Sequence, residues 1–221
     1  MGDVIICLPI AKYYHDKGYE IVWPVLGDYY DAFRDIDYVQ AIRLDCDINE
    51  SALAAKKISR LHGCQEIDLC FGFPYSTAHQ YHSNINFAKN FVEAKYKLAN
   101  TPLTERWNLS YNRDTEKESS LYNQVVKSSD YKLVHEESSA GKHFHAKGEN
   151  IVRVKKLHGY NIFNWMKIIE GATEIHCVES ALCNLVESEK RLKGKIKKYI
   201  TAREGAKGWS RTTLQNNWIV S

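Results

Sequence analysis

The sequence has no long apolar run and little excess charge. No stretch of about 18 or more apolar residues occurs, so we expect no membrane-spanning helix. The net charge of +3 and the isoelectric point near 8.4 are too small to indicate a nucleic-acid partner, which usually requires a strongly basic domain. The first residues include Asp3 and no basic stretch, which is not typical of a signal peptide. We therefore expect a cytoplasmic protein, and peripheral contact with a membrane stays open.

Several motifs of metal, nucleotide and hydrolase chemistry are also missing. The six cysteines are scattered without a Cys-x-x-Cys pair and lie mainly in apolar contexts, which predicts reduced, buried thiols. The pairs His79–His82 and His143–His145 lack accompanying ligands at zinc spacing, and His-Glu-x-x-His does not occur, so we expect no metal. The Gly-x-x-x-x-Gly-Lys-Ser/Thr phosphate loop and the Gly-x-Ser-x-Gly elbow are absent. A small α/β hydrolase or phosphatase is therefore the least favoured alternative.

The chain does contain an alternation of helical and strand patterns. Its first part has helical spacing in "VIICLPIAKYYHDKG", "DYYDAFRDI" and "INESALAAKKISRLHG", the last with Asn49 or Ser51 as cap. Strand patterns follow these helices in "YEIVWPVL", "YVQAIRLD" and "EIDLCFGF". Such an alternation predicts a parallel sheet covered by helices. For the first segment, the reading of "VIICL" as a strand stays open.

The alternation restarts near Ser128. The segments "YKLVHEES", "IVRVKKL", "EIHCVES", "KIKKYITA" and "NWIVS" predict strands, and "NIFNWMKIIEGA" and "ALCNLVESEKRL" predict helices. Between the first two strands, "SAGKHFHAKGEN" predicts a polar loop. We therefore predict an α/β fold of two Rossmann-like parallel-sheet halves that face a cleft. Residues 1–127 would form the first domain and residues 128–221 the second.

Candidate site residues are sought at strand-to-helix turns, because ligands of open parallel sheets bind beyond the carboxyl ends of the strands. The first such place is Gly2-Asp3. A glycine before a helix allows the backbone to approach a ligand closely, and Asp3 would lie at the helix start. The simpler interpretation is that Asp3 only caps the helix.

A second candidate is the polar stretch that begins at His135. Ser138, Ser139 and the backbone amides near Gly141 would hold a phosphate, and Lys142 would add a positive charge. The alternative is a solvated hairpin or loop without a ligand.

A third candidate follows the strand "EIHCV". Ser180 would lie at the start of the next helix, where the amides of Ala181 and Leu182 form an anion site. Glu179 would accept hydrogen bonds from a sugar hydroxyl. The alternative is simple capping by Ser180.

Three segments resemble a known family. They are "GDVIICLPIAKYYHDKGYEIVWPV", "YKLVHEESSAGK" and "IFNWMKIIEGATEIHCVESALCNLVE", which together cover about half the chain. They resemble bacterial glycosyltransferase family nine, the ADP-heptose:lipopolysaccharide heptosyltransferases and their relatives, in which a Gly-Asp turn precedes an apolar helix with an early proline. Family members are longer and normally have a β-strand before the Gly-Asp turn. The present sequence resembles a version shortened at the N-terminus.

The resemblance implies a GT-B fold and a glycosyltransferase that needs neither metal nor cofactor, in line with the absence of an Asp-x-Asp motif. A sugar would pass from a nucleoside-diphosphate sugar to a hydroxyl of a glycan or other acceptor. Asp3 takes the position of the family's proposed catalytic base. A non-catalytic nucleotide or nucleotide-sugar binding protein derived from the same fold is the alternative. The substrate-binding residues expected on this basis are Gly2, His135, Ser138, Ser139, Lys142, Glu179 and Ser180.

Overall fold

Parallel strand pairs determine the architecture, which is mixed α/β. A computed structural model describes residues 1–69, 91–138, 141–142, 144–192, 194–200, 214 and 217–220. The helices are α1 (Gly2–His15), α2 (Gly27–Tyr30), α3 (Ser51–His62), α4 (Phe91–Leu98), α5 (Thr115–Val125), α6 (Met166–Gly171) and α7 (Ala181–Ser188). The strands are β1 (Val22–Leu26), β2 (Gln40–Leu44), β3 (Lys132–His135), β4 (Glu137–Ser138), β5 (Gly141–Lys142), β6 (Ile151–Arg153), β7 (Glu174–Val178), β8 (Ile196–Ile200) and β9 (Trp218–Val220). Short 3-10 helices span Asp31–Asp35, Leu103–Trp107, Phe163–Trp165 and Lys190–Leu192.

The largest sheet has five strands in the order β6-β3-β7-β8-β9, and all its neighbouring pairs are parallel. The connection from β6 to β7 contains α6, and the connection from β7 to β8 contains α7, as parallel strands require. A separate parallel pair, β1-β2, belongs to the first part of the chain. These pairs confirm the predicted α/β class with parallel sheets.

The first segment is a helix and not a strand. All residues from Ile5 to Ala11 of α1 are buried, which is typical of a helix that is apolar on all sides. Ile5 and Leu8 face one cluster of the core, while Ile6 and Ile10 face a second cluster that includes residues of α4. Pro9 lies in the helix interior and not in the first turns, as the sequence had suggested, so the backbone bond from position 9 to Ile5 is missing.

The main hydrophobic core contains residues from both parts of the chain. Leu8 of α1 and Phe33 lie in the same cluster as Leu133 of β3, Ile175 of β7 and Leu185 of α7. The β1-β2 pair and the five-stranded sheet are separate sheets, but α1 packs against both parts. The position of α1 therefore links the two predicted halves through shared apolar contacts.

Three local predictions differ from the structure. The residue before α3 is Glu50, without a side-chain cap, so neither Asn49 nor Ser51 is the cap. Residues 66–69 of the predicted strand "EIDLCFGF" are irregular, and the rest of that segment lies outside the described residues. The predicted polar loop after β3 is partly a strand, since Gly141–Lys142 pairs antiparallel with Glu137–Ser138.

Candidate functional site

Two of the predicted site residues meet at the carboxyl edge of the five-stranded sheet. Strand β3 ends at His135, and its neighbour β7 ends just before Glu179 and Ser180. Because the two strands are parallel, their carboxyl ends lie at the same edge. The Nδ1 atom of His135 is 2.8 Å from the hydroxyl oxygen of Ser180. These two side chains, 45 residues apart in the sequence, therefore form a direct hydrogen bond.

Ser180 is the N-cap of α7, as predicted. Its backbone is extended, with φ −157° and ψ 174°, and its Oγ accepts a hydrogen bond of 3.3 Å from the amide of Cys183. The amides of Ala181 and Leu182 belong to the first turn, where no helical carbonyl accepts from them. A helix start with such amides attracts anions through both the donors and the helix dipole.

His135 is neutral at physiological pH in this environment. Burial lowers the pKa of its imidazole, and the carboxylate of Glu137 opposes that shift only in part. The neighbouring thiols are poor nucleophiles, because burial raises the pKa of both Cys177 and Cys183. Glu179, next to Ser180, is partly buried. The edge thus holds a neutral imidazole, a hydroxyl and free helical amides.

The start of α1 lies beside the start of α7. A β-carbon built on Gly2 would be 3.1 Å from Nδ2 of Asn184 and 3.7 Å from the amide nitrogen of Ala181, so a larger residue would meet Asn184. Asp3 follows in the first turn of α1 with an exposed side chain, and the N-cap position is Met1. Asp3 is therefore not the helix cap.

Asn184 was missed by the sequence reasoning. Its amide group donates to the carbonyl of Ser180 at 3.2 Å and faces Gly2. The spacing of four residues from Ser180 places both residues on one face of the helix start, and this spacing could have identified it.

The remaining predicted residues belong to a β-hairpin next to His135. Ser138 lies in β4 opposite Gly141, and Glu137 lies opposite Lys142 in β5. Gly141 has φ +108°, a backbone conformation that favours glycine. Ser139 lies outside the described residues. The hairpin keeps Ser138 close in sequence to the edge, and its role in phosphate binding stays a prediction.

A buried carboxylate next to His135 was also missed. Glu136 is 6% exposed and accepts a hydrogen bond of 2.7 Å from the amide of Ala146, and Arg153 of β6 lies 3.3 Å from the same oxygen. Glu136 therefore holds the segment that follows the hairpin against the sheet.

Two grooves of about 650 Å³ lie elsewhere on the surface. One is at the carboxyl ends of β1 and β2 and is lined by residues 26–29 and 43–48. The other lies at the far end of α1 and α7, where Lys12 and Asp16 approach Glu189 and Arg191. The two helices are thus side by side at both ends, and their starts share the edge with His135.

Comparison with family models, with curated proteins and with solved structures found no match to this chain. Within the described residues, no group of three or more His, Cys, Asp or Glu side chains is placed to hold a metal ion. No helix in the described part of the chain is long and apolar enough to cross a membrane.

Proposed function

We propose that this protein is a metal-independent glycosyltransferase with a GT-B-like arrangement. It would move a sugar from a nucleoside-diphosphate sugar to an acceptor hydroxyl. The observation that carries the proposal is the approach of two helix starts at one sheet edge, α1 with Asp3 and α7 with Ser180. One helix start offers a carboxylate, and the other offers anion-binding donors.

The donor diphosphate would bind at the start of α7. Negative charge grows on the diphosphate as the sugar leaves, and donors that are already oriented stabilise that charge without reorganisation. Ser180 and the amides of Ala181 and Leu182 supply such donors, and His135 lies 2.8 Å from the Ser180 hydroxyl. Lys142 and Ser138 of the hairpin would extend the site, and Glu179 would accept from a sugar hydroxyl.

Asp3 would be the general base. Its exposed carboxylate accepts the proton of the acceptor hydroxyl as that hydroxyl attacks the anomeric carbon. The acceptor would approach from the side of residues 1–127, where the groove at the ends of β1 and β2 lies at another carboxyl edge. In this proposal, residues 128–221 bind the donor.

The test replaces Asp3 with Asn. A thermal-shift screen of nucleoside diphosphates and their sugars first identifies the donor, because a ligand of the folded state raises the melting temperature. We expect Asp3→Asn to retain that shift and to lose about a hundredfold to ten-thousandfold in transfer rate, the usual contribution of a general base. The measurement is release of the nucleoside diphosphate in the presence of a glycan acceptor panel.

The control is Asp130→Asn, which changes an exposed carboxylate at the start of β3's approach and should leave transfer unchanged. Unchanged transfer in Asp3→Asn would remove Asp3 from the mechanism. Donor binding by the native protein without any transfer would favour the non-catalytic binding protein. The absence of a thermal shift with every ligand would contradict both.

A small hydrolase is a second candidate, because a serine hydroxyl 2.8 Å from a histidine nitrogen is also the arrangement of nucleophile and base. The Ser180 hydroxyl oxygen, however, also accepts the Cys183 amide as a helix cap. Hydrolysis of activated esters or phosphate esters that is abolished in Ser180→Ala and retained in Asp3→Asn would select this candidate.

A further inference from the structure

The hydrogen bonds of Ser180 determine the tautomer of His135. The hydroxyl oxygen of Ser180 accepts from the Cys183 amide, so its single hydrogen is available to donate to Nδ1 of His135. A neutral imidazole that accepts at Nδ1 carries its proton on Nε2. Ser180 is therefore a positioning residue that leaves His135 with one N–H donor for a ligand.

We infer that His135 and Ser180 respond to a bound phosphate dianion by taking up one proton from water. The proton goes to Nδ1 of His135, and the Ser180 hydroxyl turns from His135 to the anion. This inference rests on the proposed donor site, where the diphosphate of the sugar donor lies at the start of α7.

The rearrangement follows from the donor and acceptor capacity of each group. Once Nδ1 carries a proton, it donates to the Ser180 oxygen, which can still accept from Cys183. The Ser180 hydrogen is then released and can donate to a phosphate oxygen. One proton thus converts a single donor, the Nε2–H group, into two donors and a positive charge.

The charges around His135 favour the protonated form once an anion is bound. Glu137 on the hairpin already raises the pKa of His135, and Glu179 and Asp3 at the same edge carry the same sign. Arg153 on β6 is held by Glu136. The neighbouring Cys177 thiol stays protonated because burial raises its pKa. A phosphate dianion beside a partly buried imidazole adds a further term that favours the imidazolium.

The test is calorimetric titration of the full chain at pH 7 in buffers with different ionisation enthalpies. Pyrophosphate and a set of nucleoside diphosphates are the probes. The dependence of the binding enthalpy on the buffer measures the number of protons taken up. We expect uptake close to one proton in the native protein and a loss of that uptake in His135→Gln, together with about tenfold weaker binding.

Matched variants separate this role from a structural one. His176→Gln, which changes a histidine elsewhere on the same strand, should leave the uptake unchanged. Ser180→Thr retains a hydroxyl and should keep both affinity and uptake, whereas Ser180→Ala should keep uptake and bind more weakly. Nitrogen chemical shifts of His135 in the native protein report the tautomer and the proton directly, even where a variant fails to fold.

Each outcome decides between the two proposals. Nucleoside diphosphates that bind without proton uptake, or with the same uptake in His135→Gln, overturn the inference and leave the proposed function standing. Pyrophosphate that binds with uptake while nucleoside diphosphates bind no more tightly supports the inference and contradicts the proposed function. If neither probe binds, both are overturned.

Discussion

At the scale of single residues, Glu187 is the carboxylate on which the most buried polar groups depend. It is fully buried and accepts hydrogen bonds from the indole nitrogens of Trp107, at 3.2 Å, and Trp218, at 2.8 Å. Burial lowers the pKa of the nearby cations Arg106 and Lys197, and the charge of Glu187 opposes both shifts. Glu187 therefore joins the 3-10 helix Leu103–Trp107 to α7, β8 and β9.

Removal of this carboxylate should strongly destabilise the protein. We expect Glu187→Ala to lower the free energy of unfolding by about 3–5 kcal/mol, because buried cations lose their compensating charge. Urea unfolding followed by circular dichroism measures the change. The exposed Glu66→Ala is the control and should leave the midpoint where it is. A small change in Glu187→Ala would mean that the cations find other partners.

At the scale of elements, one ionic ladder crosses three strands of the large sheet. Glu174 of β7 is 3.1 Å from the ammonium of Lys132 on β3 and 3.4 Å from that of Lys198 on β8. His176 lies 2.8 Å from the same carboxylate. The hydrogen bonds from His176 and then Lys132 lower the pKa of Glu174 to about 2. The ladder thus stabilises the charged form of Glu174 between neighbouring strands.

This shift predicts a pH dependence with a definite sign. A carboxylate whose pKa falls from 4.5 in the unfolded chain to about 2 in the fold stabilises the fold fully above pH 4.5. That contribution decreases as the pH falls from 4.5 through about 2. Glu174→Gln should therefore unfold more easily than the native protein at pH 7, and the difference should shrink as the pH is lowered through this range.

Unfolding midpoints in urea at pH 7, 5, 4 and 3 check this expectation. Glu149→Gln, at an exposed position outside the sheet, serves as the control for general effects of acid. A difference between the native protein and Glu174→Gln that is the same at every pH would contradict the assigned shift.

At the scale of the whole molecule, α1 is the element that both parts of the chain share. Ile5 and Leu8 are 0% and 1% exposed and belong to the same cluster as residues of β1, β3, β7 and α7. A helix in this position cannot lose a core contact in one part without affecting the other. The fold should therefore unfold cooperatively.

Leu8→Ala tests this coupling. We expect the cavity left by Leu8 to lower the free energy of unfolding by about 2–5 kcal/mol. Amide hydrogen exchange should show the same loss of protection in β1-β2 and in β3-β7, since both pack against α1. Leu61→Ala, at a side chain that is 84% exposed, should cause no such loss. Loss of protection in only one of the two sheets would show that the halves unfold independently.

Local patterns predicted most of the described elements. The strands β3, β6, β7, β8 and β9 and the helices α1, α3, α5 and α7 lie where the hydrophobic periodicity placed them, because that periodicity depends on neighbouring residues only. The prediction of Ser180 as a cap was confirmed for the same reason. The errors concern the exact ends, such as the position of Pro9 within α1 and the short pairing of β4 with β5.

The sequence by itself thus determined the α/β class and the residue types at the strand ends. Only the tertiary structure decided which strands are neighbours, and hence that His135 and Ser180 form a hydrogen bond across 45 residues. It also decided that Gly2 approaches Asn184 and that Glu187 lies among buried cations. The physical reason is that such contacts depend on how separate apolar faces pack together, which no local spacing specifies.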